Sequence, residues 1–398
     1  MSISVTARDR LLAALDHREP DRVPCAFMLF AGLRDRSRSH EEFIEEQLRM
    51  GLDAFVMLPP FQPGEVNDHR DLPGLPVNFD PRVTVKEWVE HPVGEDQPLM
   101  IKEYSTPGGV LRAEVWQTDD WPYGNHVPFL DDYIEPRSRK FLVSRAEDLD
   151  ALRFLLVPPT QEDKDAYTRI CAPAIALAHD RGLLIAGGRG VGADLLAWIL
   201  GYENQMFAVY DDPGLVRSLL DLVASWNAAR MSVVLDAGID LYLKRAWYEN
   251  LDFWTPATWR EFLLPIVRAD AELAHSRGAK FGYIISSNCM ALLPLFAEAG
   301  VDVLMGVDPR EWDLQATKDS LAGRVSLWGG VNGHLTVELG DEEAVRAEVR
   351  RAMEVLSPGG GFILSPVDNV REDTDRSRRN VAALIDEWRA VTGRAVLE

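Results

Sequence analysis

TWREFLLPIVRADAELAHSRGAKFGYII, residues 258–285, holds the stretch on which the fold turns. Leu263, Val267, Ala271 and Ala274 recur at helical spacing, so the segment from Thr258 to His275 reads as a helix with one apolar stripe. Arg277-Gly278 ends it, because glycine takes up the left-handed closing turn at no side-chain cost. The run at residues 280–285 (KFGYII) follows at once. Its hydrophobicity is continuous rather than alternating, as suits a parallel strand covered on both faces. A helix feeding directly into such a strand is one half of a repeated βα unit.

Working outward, the same rhythm recurs. Short apolar runs lie at residues 23–29 (VPCAFML), 54–58 (AFVML), 183–187 (LLIAG), 240–244 (DLYLK), 302–306 (DVLMG), 325–328 (VSLW) and 361–365 (GFILS). With residues 280–285 they make eight expected strands. Residues 342–356 form another amphipathic helix, with Val345, Val349, Ala352 and Met353 on one stripe and Glu343, Arg350 and Glu354 opposite. Eight βα units predict an α/β fold of the TIM type, a (β/α)8 barrel forming a single domain over residues 1–398.

Residues 59–160 break the rhythm and read as a long insertion after strand two, a lid or binding element. Within it Thr106–Gly124 reads as a hairpin and its loop. Trp116, Trp121, Tyr123 and His126 either face a ligand or form a small packed cluster supporting the insertion.

The 398 residues carry 42 basic and 63 acidic side chains, a net charge of −21 that repels phosphate backbones and anionic lipid and so disfavours nucleic acid or membrane as partner. Three cysteines are too few for a disulfide framework, and no apolar leader or run of about 18 apolar residues occurs, so a cytoplasmic location is expected. HExxH, GxxxxGKS/T, GxSxG and DxHxxG are all absent. The glycines of Ala186–Leu196 (AGGRGVGADLL) follow a strand, but their spacing is imperfect for a dinucleotide turn, and close packing explains them better.

In a β/α barrel the chemistry sits on loops leaving the carboxyl ends of the strands. That rule nominates Glu249, His334 and Asp368 as catalytic, since carboxylates and imidazole exchange protons near neutral pH. Substrate-binding candidates are Arg189, Trp198, Arg245, Trp247, Tyr248, Asn250, Tyr283, Ser286, Asn288, Asp308, Asn332 and Asn369. No metal ligands are nominated.

RDRLLAALDHREPDRVPCAFMLFAG (Arg8–Gly32) resembles the opening of the uroporphyrinogen decarboxylase superfamily, which also contains cobalamin-dependent methyltransferases. Trp247–Val267, Leu292–Leu304, WGGVN at Trp328–Asn332 and SPGGGFILSPVDNV at Ser357–Val370 are similar to its later blocks. The resemblance implies the same barrel and a homodimer. Its decarboxylases carry arginines that meet substrate carboxylates where this chain has Leu29 and Leu33, in FMLFAGL; the branch's active-site tyrosine matches Trp198 and its late histidine Asp368. Apolar side chains cannot replace bidentate guanidinium contacts. The thiol-activating methyltransferases hold zinc with residues matching Ile284, Ser286 and Asp368, of which only Asp368 is a donor zinc favours at neutral pH, so zinc is not expected. Cys289 lies off that register and reads as a core cysteine.

The resemblance therefore implies a methyltransferase or demethylase acting on a small methoxylated or methylated substrate, with cobalamin, a corrinoid, supplied by a separate protein. The alternatives are a metal-independent decarboxylase or other carbon-bond lyase on a small carboxylic acid, and a non-catalytic ligand-binding barrel.

Overall fold

A computed structural model of the chain describes residues 5–61 and 75–395, so part of the expected insertion, residues 62–74, lies outside the described residues. The first strand, β1 (Phe55–Leu58), is followed by four strands that pair only among themselves: β2 (Thr84–Glu90), β3 (Leu99–Thr106), β4 (Gly109–Trp116) and β5 (Ser138–Lys140), antiparallel in that order. Of the stretch Thr106–Gly124, read as a hairpin and its loop, Gly109–Trp116 is the second strand of a hairpin turned at Pro107-Gly108, whose first strand, β3, lies ahead of the stretch apart from Thr106. The chain then returns to β6 (Leu184–Gly190), β7 (Leu241–Arg245), β8 (Lys280–Ile284), β9 (Val303–Val307), β10 (Ser326–Asn332) and β11 (Phe362–Val367). With β1 these form a curled seven-stranded parallel sheet in the order β1-β6-β7-β8-β9-β10-β11, so seven of the eight expected runs are strands of one sheet.

The run at residues 23–29 departs from expectation, contributing a single bridge from Cys25 to Leu364 of β11 rather than a strand. The cause is local. Pro24 has no N–H to give, and the Cys25 N–H is taken by the Asp53 carboxylate at 3.0 Å instead of by a neighbouring strand. The segment still touches both edges of the sheet: the Ala26 N–H donates to the Leu364 carbonyl at 3.0 Å, and the Asp53 N–H, just ahead of β1, donates to the Cys25 carbonyl at 2.8 Å.

Strand alternation sorts side chains between two compartments. Phe55, Leu184, Ala186, Leu241, Leu243, Ile284, Val303, Met305, Trp328 and Ile363 fill the inside of the curl. Val56, Ile185, Tyr242, Phe281, Tyr283, Leu304, Leu327 and Leu364 face the other way, into the larger core shared with the surrounding helices. The expected stripes pack there: Val345, Val349, Ala352 and Met353 of the helix Glu342–Leu356, and Val267, Ala271 and Ala274 of Leu264–Ser276, are buried. No described helix is long and apolar enough to cross a membrane.

The helix Ala7–Leu15 closes the amino ends of the strands by sending Leu11, Ala14 and Leu15 into the inner compartment, where the Ser326 hydroxyl donates to the Ala14 carbonyl at 2.9 Å. The carboxyl ends of the strands lie at the opposite mouth of the curl. Leu29, Met57 and Trp247 are half-buried against the inner filling and form the apolar floor of this mouth.

Candidate active site

Arg245 sits at the inward parity of β7, after Leu241 and Leu243, and its side chain is 1% exposed. A guanidinium removed from water needs fixed counter-charges. Among the described residues Asp194 and Asp132 supply them: Asp194 Oδ2 lies 3.1 Å from Arg245 Nε, and Asp132 Oδ2 accepts from Nη2 at 2.6 Å. Three aromatic rings enclose the cation, Trp247 at 4.1 Å, Trp198 at 4.7 Å and Tyr248 at 5.7 Å from its central carbon. Asp132 is the common acceptor, since its Oδ1 also takes the Trp198 indole N–H at 2.8 Å and the Tyr248 hydroxyl at 2.9 Å.

Asp194 opens the helix Ala193–Leu200 and accepts the backbone N–H groups of Trp247 at 3.2 Å and Tyr248 at 2.9 Å. Complete burial pushes its carboxyl up to about 7, although Arg245 pulls the other way. Tyr202 packs against Tyr248 with ring centres 4.8 Å apart and the planes tilted by 52°.

Asp368 follows β11. Its Oδ1 is buried with no hydrogen-bond partner among the described residues, and burial raises the carboxyl above its ordinary range while the charges of Arg189, Arg371 and Arg245 pull it down. Arg189 holds a left-handed backbone, φ 64°, between Gly188 and Gly190. For a residue with a side chain that conformation costs about 1–3 kcal/mol, and such strain concentrates where a side chain must be aimed. The surrounding glycines are there for packing, as expected: a Cβ on Gly188 would lie 2.7 Å from the Leu243 carbonyl, and one on Gly187 2.8 Å from Val234.

Arg189, Trp198, Arg245, Trp247, Tyr248 and Asp368 are therefore the expected residues that gather at the mouth. Ser286, half-buried two residues beyond the inward-facing Ile284, stands at the same end. Glu249 and Tyr283 do not join them, which corrects the sequence reading. Lys244 has the outward parity of β7 and is buried against Asp270, Nζ to Oδ2 2.7 Å. Glu249 lies beside it, behind the sheet and among Leu220, Val223, Leu263 and Val267. Its Oε1 accepts the Ala193 N–H at 2.8 Å and its Oε2 accepts the Tyr283 hydroxyl.

His334 is corrected as well: its side chain is 67% exposed on the π-helical turn Gly333–Glu338, with Nδ1 held 2.8 Å from Glu338 Oε2. Several other candidates serve the loops themselves. Asn250 donates to the Trp247 carbonyl at 2.9 Å and the Ser287 hydroxyl at 2.6 Å, and accepts from Asp252 N. Asn288 is exposed, 3.3 Å from Asp252 Oδ1, and Asn369 Oδ1 accepts the Ala31 N–H at 3.1 Å. Asn332 caps the turn after β10 and donates to Asp308 Oδ2 at 2.8 Å; burial raises the Asp308 carboxyl. Trp121 and Tyr123 pack with Met100, Val115, Val127 and Ile134 in a cluster of the small sheet. His126 pairs with Glu87 at 3.0 Å, and Arg139 covers Trp116.

Asp132, Asp194 and Tyr202 escaped the sequence reading. Asp194 had a signal, a lone acid opening the otherwise apolar helix ADLLAWIL. Asp132 had none, since it lies in irregular chain without period. Together the mouth offers a carboxyl biased toward its protonated form, two guanidiniums and an apolar, aromatic wall, the parts needed to protonate a departing group while excluding water.

Comparison with known proteins agrees with this geometry. Residues 121–391 match the family described as Uroporphyrinogen decarboxylase (URO-D). A uroporphyrinogen decarboxylase of Streptomyces coelicolor (strain ATCC BAA-471 / A3(2) / M145) is 29% identical over 178 residues, 44% of this chain and 47% of that protein. One from Ralstonia pickettii (strain 12J) is 30% identical over 162 residues, 38% and 41% of the two chains. The chain thus spans less than half the length of these relatives. Among solved structures, a methyltransferase from Methanosarcina mazei aligns over 98% of this chain and 99% of its own with a TM-score of 0.59 at 17% identity, a likeness of fold. The match covers well over half of the sequence, and the chain belongs to the uroporphyrinogen decarboxylase (URO-D) family.

Proposed function

We propose that this protein is a methyl-transfer enzyme that demethylates a small methoxylated or methylated substrate at the mouth of an eight-stranded barrel, with a corrinoid on a separate protein as acceptor. Barrel closure is supported by the segment around Cys25, which hydrogen-bonds to β11 on one side and to residue 53 on the other. The small sheet β2–β5 is read as the insertion after strand two, with its trailing loop as the lid over the mouth.

One observation carries the functional reading: Asp368 Oδ1 is buried without a hydrogen-bond partner among the described residues, and the carboxyl is raised toward its neutral form beside Arg189 and Arg245. A methyl group bound to oxygen or nitrogen leaves only if that atom accepts the electron pair of the breaking bond, and protonating it lowers the barrier. Asp368 holds the proton and delivers it to the departing heteroatom. Arg189 and Arg245 then stabilise the aspartate anion that remains. Leu29, Met57 and Trp247 seat the apolar body of the substrate and keep water from competing as nucleophile.

A reduced corrinoid, when bound, supplies the nucleophile that takes the methyl group. The apolar residues of the mouth, Leu29, Met57 and Trp247, would meet a corrinoid, and His334, exposed and engaged by Glu338, is given no part in holding it. Zinc does not fit the family positions: Ile284 packs in the inner filling, Ser286 is neutral and Asp368 stands alone.

The test is absorbance of free cob(I)alamin mixed with the protein and a panel of methoxylated aromatics. Methylcobalamin should form with wild type, and Asp368→Asn should slow its formation by about 10²–10⁴-fold, the usual worth of a positioned acid. No spectral change with any substrate, or an unimpaired Asp368→Asn, sinks the reading. A second reading, a metal-independent lyase, draws on the two guanidiniums beside Asp368, which would anchor a substrate carboxylate. Release of CO₂ without corrinoid would favour it.

A further inference from the structure

Asp132 is bound in the way a ligand is bound. Its three side-chain donors all belong to loops of the parallel sheet: Arg245 at the end of β7, Tyr248 in the turn that follows, and Trp198 in the helix after β6. The acceptor alone comes from the excursion between β1 and β6. Arg245 and Trp198 are sealed, at 1% and 2% exposed, whereas the Asp132 side chain is 30% exposed.

We propose that Arg245, the Trp198 indole N–H and the Tyr248 hydroxyl form a carboxylate-binding subsite that Asp132 fills in cis, and that the substrate's own carboxylate takes its place. In naming the substrate as a methoxylated carboxylic acid, the second half of this proposal rests on the methyl-transfer reading; the subsite itself does not.

Charge balance favours exchange over addition. Among the described residues Arg245 already faces Asp132 and Asp194, with Asp368 and Arg189 beyond, so an added carboxylate would crowd one more anion around a buried cation that is already countered. Replacing Asp132 leaves the buried charge unchanged and returns the part-exposed Asp132 to solvent. The loop is not held by Asp132 alone. Its neighbour Asp131 takes the Tyr123 hydroxyl at 2.6 Å and the Tyr133 N–H at 2.9 Å, and the loop is tied to the sheet by Glu135 Oε1, which accepts the Tyr202 N–H at 3.3 Å. A further backbone bond, Val143 N–H to the Ile199 carbonyl at 2.9 Å, fixes the chain downstream. The Asp132 side chain is therefore free for exchange without unfolding the strap.

The experiment uses the full chain and sodium benzoate as probe, with sodium chloride at matched ionic strength as control. Asp132→Ala removes the occupant, and saturable benzoate binding, read by tryptophan fluorescence from Trp198 and Trp247 and by a rise in melting temperature, should be at least about tenfold tighter than in wild type. Asp132→Asn, which keeps the shape but loses the charge, should fall between them, and adding Arg245→Gln to either should abolish binding. If neither variant binds benzoate better than wild type, the subsite is wrong; should Asp132→Ala fail to fold, Asp132→Asn decides alone. With wild type, a methoxybenzoate should show a KM about tenfold below that of methoxybenzene. Equal KM values would overturn the exchange by substrate, and absence of turnover with both, beside intact benzoate binding, would refute methyl transfer while leaving the subsite standing.

Discussion

Glu249 is the residue on which the sequence and the structure disagree most sharply, and its replacement separates the two. In Glu249→Ala the Ala193 N–H loses a charged acceptor, about 1.5–3 kcal/mol for a hydrogen bond to an ionised group. The Tyr283 hydroxyl, fully buried, is left without a partner, a further cost of about 1–3 kcal/mol. Lys244, within the field of Glu249, keeps Asp270, so its charge stays compensated. The total is about 2.5–6 kcal/mol, a large part of the roughly 5–15 kcal/mol that holds a folded domain together. With an unfolding entropy of about 2.1 cal/mol/K per residue over 398 residues, the melting temperature should fall by about 3–7 °C in a calorimetric scan. Glu249→Gln keeps an acceptor for the Ala193 N–H and turns its amide NH2 toward the Tyr283 oxygen, so it should lose less than Glu249→Ala. Asp368→Asn, by contrast, should melt close to the wild-type temperature, since the buried Oδ1 has no hydrogen bond to lose among the described residues and only the pull of the nearby arginines on the carboxylate is given up. A Glu249→Ala protein that melts within about 1 °C of wild type yet has lost activity would refute the assignment and return Glu249 to the chemistry.

Two further outcomes follow from the same geometry. Asp194 has a folded-state carboxyl raised to about 7, so the native state binds the extra proton and stability declines as pH rises from the unfolded value near 3.8 through about 7. Asp194→Asn cannot ionise; its melting temperature relative to wild type should therefore be higher at pH 8 than at pH 5.5, and a relative decline over that interval would contradict the assignment. His334→Ala should change kcat/KM by no more than about twofold and stability by no more than about 0.5 kcal/mol, as for surface positions; a loss beyond a hundredfold would put His334 back at the reaction centre.

Strand positions were legible because burial on both faces leaves a signature in every residue of a run. Residues 240–244 and 280–285 match β7 and β8 to within one residue at each end, and 183–187 and 361–365 start within one residue of β6 and β11 but stop three and two residues short of their ends. Where one residue intervened, legibility failed: Asp53 captures the Cys25 N–H, and the run at 23–29 is reduced to a bridge. Arg189, Arg245 and Asp368 could be found because each sits within a few residues of a strand end. Asp132 was invisible for the opposite reason. It reaches Arg245 across 113 positions of sequence from a loop without period or motif.

Being near a strand end is a weaker criterion than parity, and this explains why Asp368 and Glu249 parted company. On β7 the inward series is Leu241, Leu243, Arg245, so Lys244 must face the helices, where no water reaches it. A buried ammonium on that face demands acids on the same face, and Asp270 and Glu249 are the acids that meet it. The turn from Ala246 to Asn250, closed by the Glu249 N–H to the Ala246 carbonyl at 3.2 Å, carries the chain back behind the sheet and delivers Glu249 there. A lysine at an outward position of a parallel strand thus announces that a nearby carboxylate is already committed to structure. Applied along β7, that criterion removes Glu249 from the catalytic set and leaves Arg245, which has the inward parity, as the charge around which the mouth is assembled.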